Sequence, residues 1–157
     1  MADGSTVGLT FGALQLKSKT DALGRMTQYG YDNFLNLQSV TDANGNAFTY
    51  SWSPTGNLLS ITDPKNQVTS FEYDSADQKI RKTLPDGSYE QYGYDANGSM
   101  TAIRMTDGNT NQLKYDSRGR VSTIQYFDGS TTTFTYTPTG KPKTTSSSIG
   151  TASYAYL

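Results

Sequence analysis

The chain has 157 residues, 13 basic against 14 acidic side chains for a formal net charge of −1, and neither cysteine nor histidine. That balance leaves no clustered positive footprint for nucleic acid or an acidic membrane surface, and the missing cysteines exclude a disulfide frame and a thiolate metal site. Leu, Ile, Val and Phe supply only about a sixth of the residues, yet 12 tyrosines and near-zero charge argue for an ordered chain with a thin, tyrosine-rich interior rather than for disorder.

The length suits one domain. At the start, MADGSTVGLT (residues 1–10) lacks the basic opening and apolar run of a secretory signal. Residues 1–9 are read as a leader or appended segment, and the repeats as occupying about residues 10–157. No stretch approaches the about 18 consecutive apolar residues of a membrane-spanning helix, so no membrane insertion is expected.

From Tyr31 the chain keeps a stride of 21 residues: Tyr31, Trp52, Tyr73, Tyr94, Tyr115 and Tyr136. Two residues before each stands a second apolar residue: Tyr29, Tyr50, Phe71, Tyr92, Leu113 and Phe134. Glycines keep the same beat in two series. One is Gly24, Gly45, Gly87, Gly108, Gly129 and Gly150, with Asn66 at the missing step; the other is Gly56, Gly98, Gly119 and Gly140. Self-similarity at a fixed period is the signature of a repeat architecture. Each unit carries two turns, one of the DANG, SPTG, DSRG and TPTG kind and one of the PDGS, TDGN and FDGS kind, where Asp-Gly and Asn-Gly offer the backbone angles of a hairpin turn.

Between the turns, stretches such as RVSTIQY and TTTFTYT alternate, are rich in Thr, Ile, Val and Tyr, and show no 3.6-residue period. Two strands of about six residues and two turns fill one stride, so each unit is a β-hairpin. The expected fold is all-β: a curved or coiled antiparallel sheet of tandem hairpins, about thirteen strands in all. Aromatics two apart share a strand face, and Val40, Ile61, Ile103 and Ile124 recur where they can pair across to the rings. Leu37, Leu58, Met100 and Val121 recur three residues earlier, which under simple alternation is the other face. Either both faces are partly covered or a bulge shifts the phase.

With these residues in view the chain resembles the Rhs or YD-repeat family, whose pattern is aromatic, any residue, Tyr-Asp, two residues, Gly, Arg or Asn, then an aliphatic. LKYDSRGRV (113–121) matches throughout and YGYDANGSM (92–100) nearly so. YSWSPTGNL (50–58) keeps the frame without Tyr-Asp, and Leu35 and Asp77 stand where Gly is usual. The resemblance covers about residues 21–150. It implies a structural role: in that family such hairpins wind into hollow shells that enclose a toxin in bacterial Rhs and insecticidal toxin-complex proteins, and similar barrels occur in wall-associated proteins and teneurins. It further implies a secreted or cell-surface location. The family's Asp-Pro-x-Gly-Leu closing motif has no counterpart, since DPKNQ (63–67) falls in a repeat turn.

For chemistry the sequence offers little. Without His or Cys, acid–base work falls to carboxylates, and Asp32, Asp74, Asp95 and Asp116 recur because the turn recurs. The Asp/Asn/Gly loops lack calcium-loop spacing. No catalytic residue, cofactor or metal is therefore expected, and no enzyme. The rings are expected to be core, with Trp52 the residue for stacking a sugar if the ladder instead binds a surface glycan. The expected partners are further repeats or identical subunits adding strands at the open sheet edges, to give a shell or filament, and an enclosed toxin.

Overall fold

The computed structural model describes residues 7–12 and 14–156. Residues 1–6 of the expected leader lie outside the described residues, and Gly8 and Leu9 already belong to the first strand.

Fifteen strands, and no helix, are found among the described residues: β1 (Gly8–Phe11), β2 (Leu16–Thr20), β3 (Met26–Tyr31), β4 (Leu37–Thr41), β5 (Ala47–Trp52), β6 (Leu58–Thr62), β7 (Val68–Tyr73), β8 (Lys79–Thr83), β9 (Tyr89–Tyr94), β10 (Met100–Arg104), β11 (Thr110–Tyr115), β12 (Val121–Gln125), β13 (Thr131–Tyr136), β14 (Pro142–Ser147) and β15 (Gly150–Ser153). They lie in one sheet in chain order. The count slightly exceeds the about thirteen strands expected. β1 (GLTF) and β15 (GTAS) add two more without any Tyr-Asp signature, because joining a sheet edge requires only a row of backbone N–H and C=O groups and no ring. The chain divides into two compact units: one runs to residue 73 and includes 83–87, the other comprises 74–82 and 88–157.

The turns explain the glycine beat. In the first unit Asp42 N donates to the Asn46 carbonyl and Gly45 N to the Asp42 carbonyl; in the second, Asp116 and Gly119 repeat the arrangement with Arg120. This is a type I turn closed by one left-handed residue, a hairpin loop whose twist suits the flanking strands. Both turn series of the sequence adopt it up to Gly140, and each glycine there has a φ of 73–90°. Gly150 departs from the series: it pairs with Ser147 across a shorter turn and has a φ of 148°. The three steps without glycine keep the conformation: Leu35 at φ 70°, Asn66 at 62° and Asp77 at 58°. Asn and Asp tolerate that region; Leu does not, at a cost of about 1–2 kcal/mol. The strands on either side therefore hold Leu35 in place against its own preference.

A bulge resolves the phase of the aliphatic series. Gly30 pairs with Ser39 but Tyr31 pairs with Leu37, so Gln38 is an extra residue in β4. Leu59 in β6, Thr101 in β10, Ser122 in β12 and Lys143 in β14 occupy the same place. The insertion turns Leu37, Leu58, Met100 and Val121 onto the face of the rings, each directly opposite a Tyr or Trp. Val40 and Ile61 lie opposite Tyr29 and Tyr50, and Ile103 and Ile124 opposite Tyr92 and Leu113. Cross-strand pairs of this kind contribute about 0.2–1 kcal/mol each.

Within each unit the two faces differ sharply. One carries the rings and aliphatics; the other is mainly polar, with Ser51 against Ser60 and Thr135 against Thr144, hydroxyls 2.7 and 2.6 Å apart, and in the second unit Arg81 and Arg104 stacked on Tyr89. No described residue is fully buried. The ladder rings are half-buried by their neighbours along the sheet, so cohesion comes from lateral packing within a single layer and from the hydrogen-bonded backbone.

Candidate functional site

The aromatic ladder is the most extended chemical feature among the described residues, and its geometry separates the two ring series. Each residue of the Tyr31 series donates a side-chain hydrogen bond to the backbone carbonyl 15 positions earlier. Tyr31 reaches Leu16 at 3.1 Å, Trp52 Nε1 reaches Leu37 at 2.7 Å and Tyr73 reaches Leu58 at 3.0 Å. In the second unit Tyr94 reaches Lys79 at 2.8 Å, Tyr115 reaches Met100 and Tyr136 reaches Val121, both at 2.7 Å. The accepting carbonyls of Leu37, Leu58, Met100 and Val121 belong to the residues turned by the bulge. A ladder interrupted in this way leaves a carbonyl in need of a donor, and the ring of the next strand supplies it.

This arrangement accounts for a pattern that sequence reading passed over. The donor series contains only Tyr and Trp, whereas the series two residues before admits Phe71, Leu113 and Phe134. The absence of Phe at the donor positions was the available signal. Trp52 replaces tyrosine while conserving an N–H at the required reach; its ring is half-buried and its polar atom is already bonded.

The recurring carboxylates serve their own turns. Oδ1 of Asp32 accepts from the amides of Phe34 and Asn36, that of Asp74 from Ala76 and Gln78, that of Asp95 from Asn97 and Ser99, and that of Asp116 from Arg118 and Arg120. Side-chain and backbone bonds from Arg120, with Nη2 2.6 Å from Oδ2, hold the Asp116 carboxyl down to about 2. Such bonds favour the charged form, which is the reverse of what a general acid needs at neutral pH. Asp21, Asp42, Asp107 and Asp128 are likewise lowered, chiefly by bonds from Arg25, Asn46, Asn109 and Ser130 respectively. Among the described residues no three His, Cys, Asp or Glu side chains are grouped to hold a metal ion.

Within each unit the arrangement can hold neighbouring strands in register and present an apolar, ring-studded surface. A search of curated proteins finds no match. Among solved structures, TcdB2-TccC3 without its hypervariable C-terminal region is similar at a TM-score of 0.77 and 20% identity, covering 97% of this chain and 10% of that one. The TcdB2-TccC3-Cdc42 structure gives 0.74 and 21%, covering 98% and 10%. A Tc holotoxin pore of Photorhabdus luminescens gives 0.72 and 20%, covering 96% and 9%. This chain thus spans about a tenth of the length of those chains, and at that identity the likeness is one of fold. The family model described as teneurin YD-shell matches residues 12–154, nearly the whole chain: the protein belongs to the teneurin YD-shell family.

Proposed function

We propose that this chain is a stretch of wall in a YD-type shell: a non-enzymatic structural module, secreted or at the cell surface, that continues through further repeats or identical subunits at its edge strands and encloses or displays a polypeptide such as a toxin. The observation that carries the reading is the sixfold bond from Tyr or Trp to the carbonyl 15 residues earlier, which commits the ladder to holding one strand pair to the next. Among the described residues β1 and β15 are the exposed edge strands, and an edge strand can pair with a neighbour through its backbone. Membership of a shell family and the likeness in fold to toxin-complex proteins support the same reading. Glycan stacking on Trp52 is less well supported, because the indole N–H that would help orient a sugar is already bonded to Leu37.

Sedimentation velocity over a range of concentrations tests the reading. Species growing beyond the monomer with concentration are expected. A compact monomer at every concentration, with slowly exchanging amides in β1 and β15, overturns continuation through the edges; specific hits on a glycan array abolished by Trp52→Ala would favour the sugar-binding alternative.

A further inference from the structure

In the second unit the ladder face is interrupted. Stepping by 21, the positions of Leu37, Leu58, Met100 and Val121 include Lys79, and those of Val40, Ile61, Ile103 and Ile124 include Lys82. Glu90 stands at the step held by Phe48, Thr69, Asn111 and Thr132. All three side chains lie with the rings. Lys79 Nζ sits 4.6 Å from the centre of the Tyr92 ring. The Tyr92 hydroxyl donates to Glu90 Oε2 at 2.6 Å, and Lys82 Nζ lies 3.6 Å from the same oxygen.

The charges do not balance. Two ammonium groups face one carboxylate: Lys82 pairs with Glu90 directly, and the charge of Lys79 also acts on Glu90. Lys79 itself rests on an aromatic face and makes no direct salt bridge among the described residues. A lysine where the neighbouring repeats place an aliphatic breaks the local packing rule without a compensating ion pair, and such breaks concentrate at functional positions. On a half-buried apolar surface a cation is less screened than in open water. The ring beneath Lys79 orients the ammonium without neutralising it.

We propose that Lys79, with Lys82 beside it, is a docking point for the carboxylate of an acidic polypeptide segment lying along the ladder face. That the occupant is a polypeptide rests on the wall reading above. Tyr92 and Tyr94 supply apolar contact to the segment, Lys79 supplies the charge, and Glu90 sets the specificity by repelling any segment that lacks an excess of negative charge. The site marks one place along the ladder face.

The test compares two labelled peptides rich in Thr and Val, one with a central pair of glutamates and one with glutamines, by fluorescence anisotropy against the whole chain. The wild type is expected to bind the glutamate peptide about tenfold more tightly at low salt, a preference that shrinks as salt rises. Lys79→Met copies Met100 of the next repeat and leaves the Lys82–Glu90 pair intact. It is expected to abolish the preference while the melting temperature stays level or rises, and Lys79→Arg to retain it. Loss of stability in Lys79→Met overturns the proposal by making the lysine structural. So do an unchanged preference in that variant, equal binding of both peptides and binding of neither. The wall reading fails on sedimentation instead, which leaves the peptide comparison readable.

Discussion

Trp52 donates its indole N–H to the carbonyl of Leu37 at 2.7 Å, and Leu37 is the residue that the bulge in β4 sets opposite Tyr31. Tyr31 thus packs on the residue whose backbone Trp52 holds. Trp52 in turn lies opposite Leu58, whose carbonyl accepts from Tyr73. The same linkage in the second unit runs from Tyr94 through Met100 to Tyr115, and through Val121 to Tyr136. Bulge and donor are therefore two halves of one device, which propagates register from hairpin to hairpin.

Removing a single donor should be felt where an otherwise similar change is not. Tyr115→Phe keeps the ring but strips the Met100 carbonyl of its bond, and is expected to cost about 0.5–1.5 kcal/mol in urea denaturation. Tyr50→Phe belongs to the other series and should fall within about 0.5 kcal/mol of wild type. Trp52→Tyr should be tolerated better than Trp52→Phe, since only the former retains a donor. Equal losses for Tyr115→Phe and Tyr50→Phe would show that ring packing alone sets stability.

Leu35 offers a stabilising change. Its φ of 70° is one that glycine adopts freely, so Leu35→Gly is expected to raise stability by about 1 kcal/mol. Its mirror image is Gly119→Ala. An added Cβ at Gly119 meets nothing within 4 Å, so any loss, expected at about 1 kcal/mol, reports backbone strain at φ 73°. Thermal melting of both variants checks the pair, with shifts of about 2–4 °C in opposite directions.

Acid should loosen the turns. Bonds from Arg120 hold the folded Asp116 carboxyl down to about 2, against an ordinary value of 3.8. A depressed pKa contributes stability that is present above the unfolded value and lost as pH falls toward the folded one. The loss attributable to Asp116 is therefore expected between about pH 4 and pH 2, with Asp21, Asp42, Asp107 and Asp128 adding in the same direction. Asp116→Asn should flatten part of that slope in a pH series of urea melts; a series as steep as wild type would remove Asp116 from the account.

Alkali should act on the ladder itself. Burial, then the hydrogen bond to Glu90, pushes the Tyr92 hydroxyl up to about 12, and burial raises Tyr94 as well. A raised pKa in a phenol contributes stability that is complete below its unfolded value near 10 and disappears as pH rises through the folded one. Stability is thus expected to fall between about pH 10 and pH 12, and less steeply in Tyr92→Phe. Ultraviolet absorbance at the tyrosinate band, followed alongside circular dichroism, measures ionisation and unfolding together.

Much of this was legible in one dimension. The stride from Tyr31 to Tyr136 and the glycine beat locate strands and turns because both depend on local rules: side chains two apart share a face, and a left-handed turn residue favours glycine over almost everything else. Local rules do not extend to the partner strand. Whether Leu37 faces the rings or the opposite side depends on which residue of β3 it meets, and only the paired sheet, with Gln38 bulged out, decides that. The distinction between a ring that packs and a ring that donates is of the same kind, since Trp52 and the Leu37 carbonyl lie 15 residues apart in the chain. So is the meeting of Lys79, Lys82, Glu90 and Tyr92, an assembly of separate strands that no single stretch of sequence announces. The sequence by itself determined the period, the turns and the class of fold; register, the face each aliphatic joins and the bond each ring makes were decided by tertiary structure, because each is a relation between backbones that meet only once the sheet has formed.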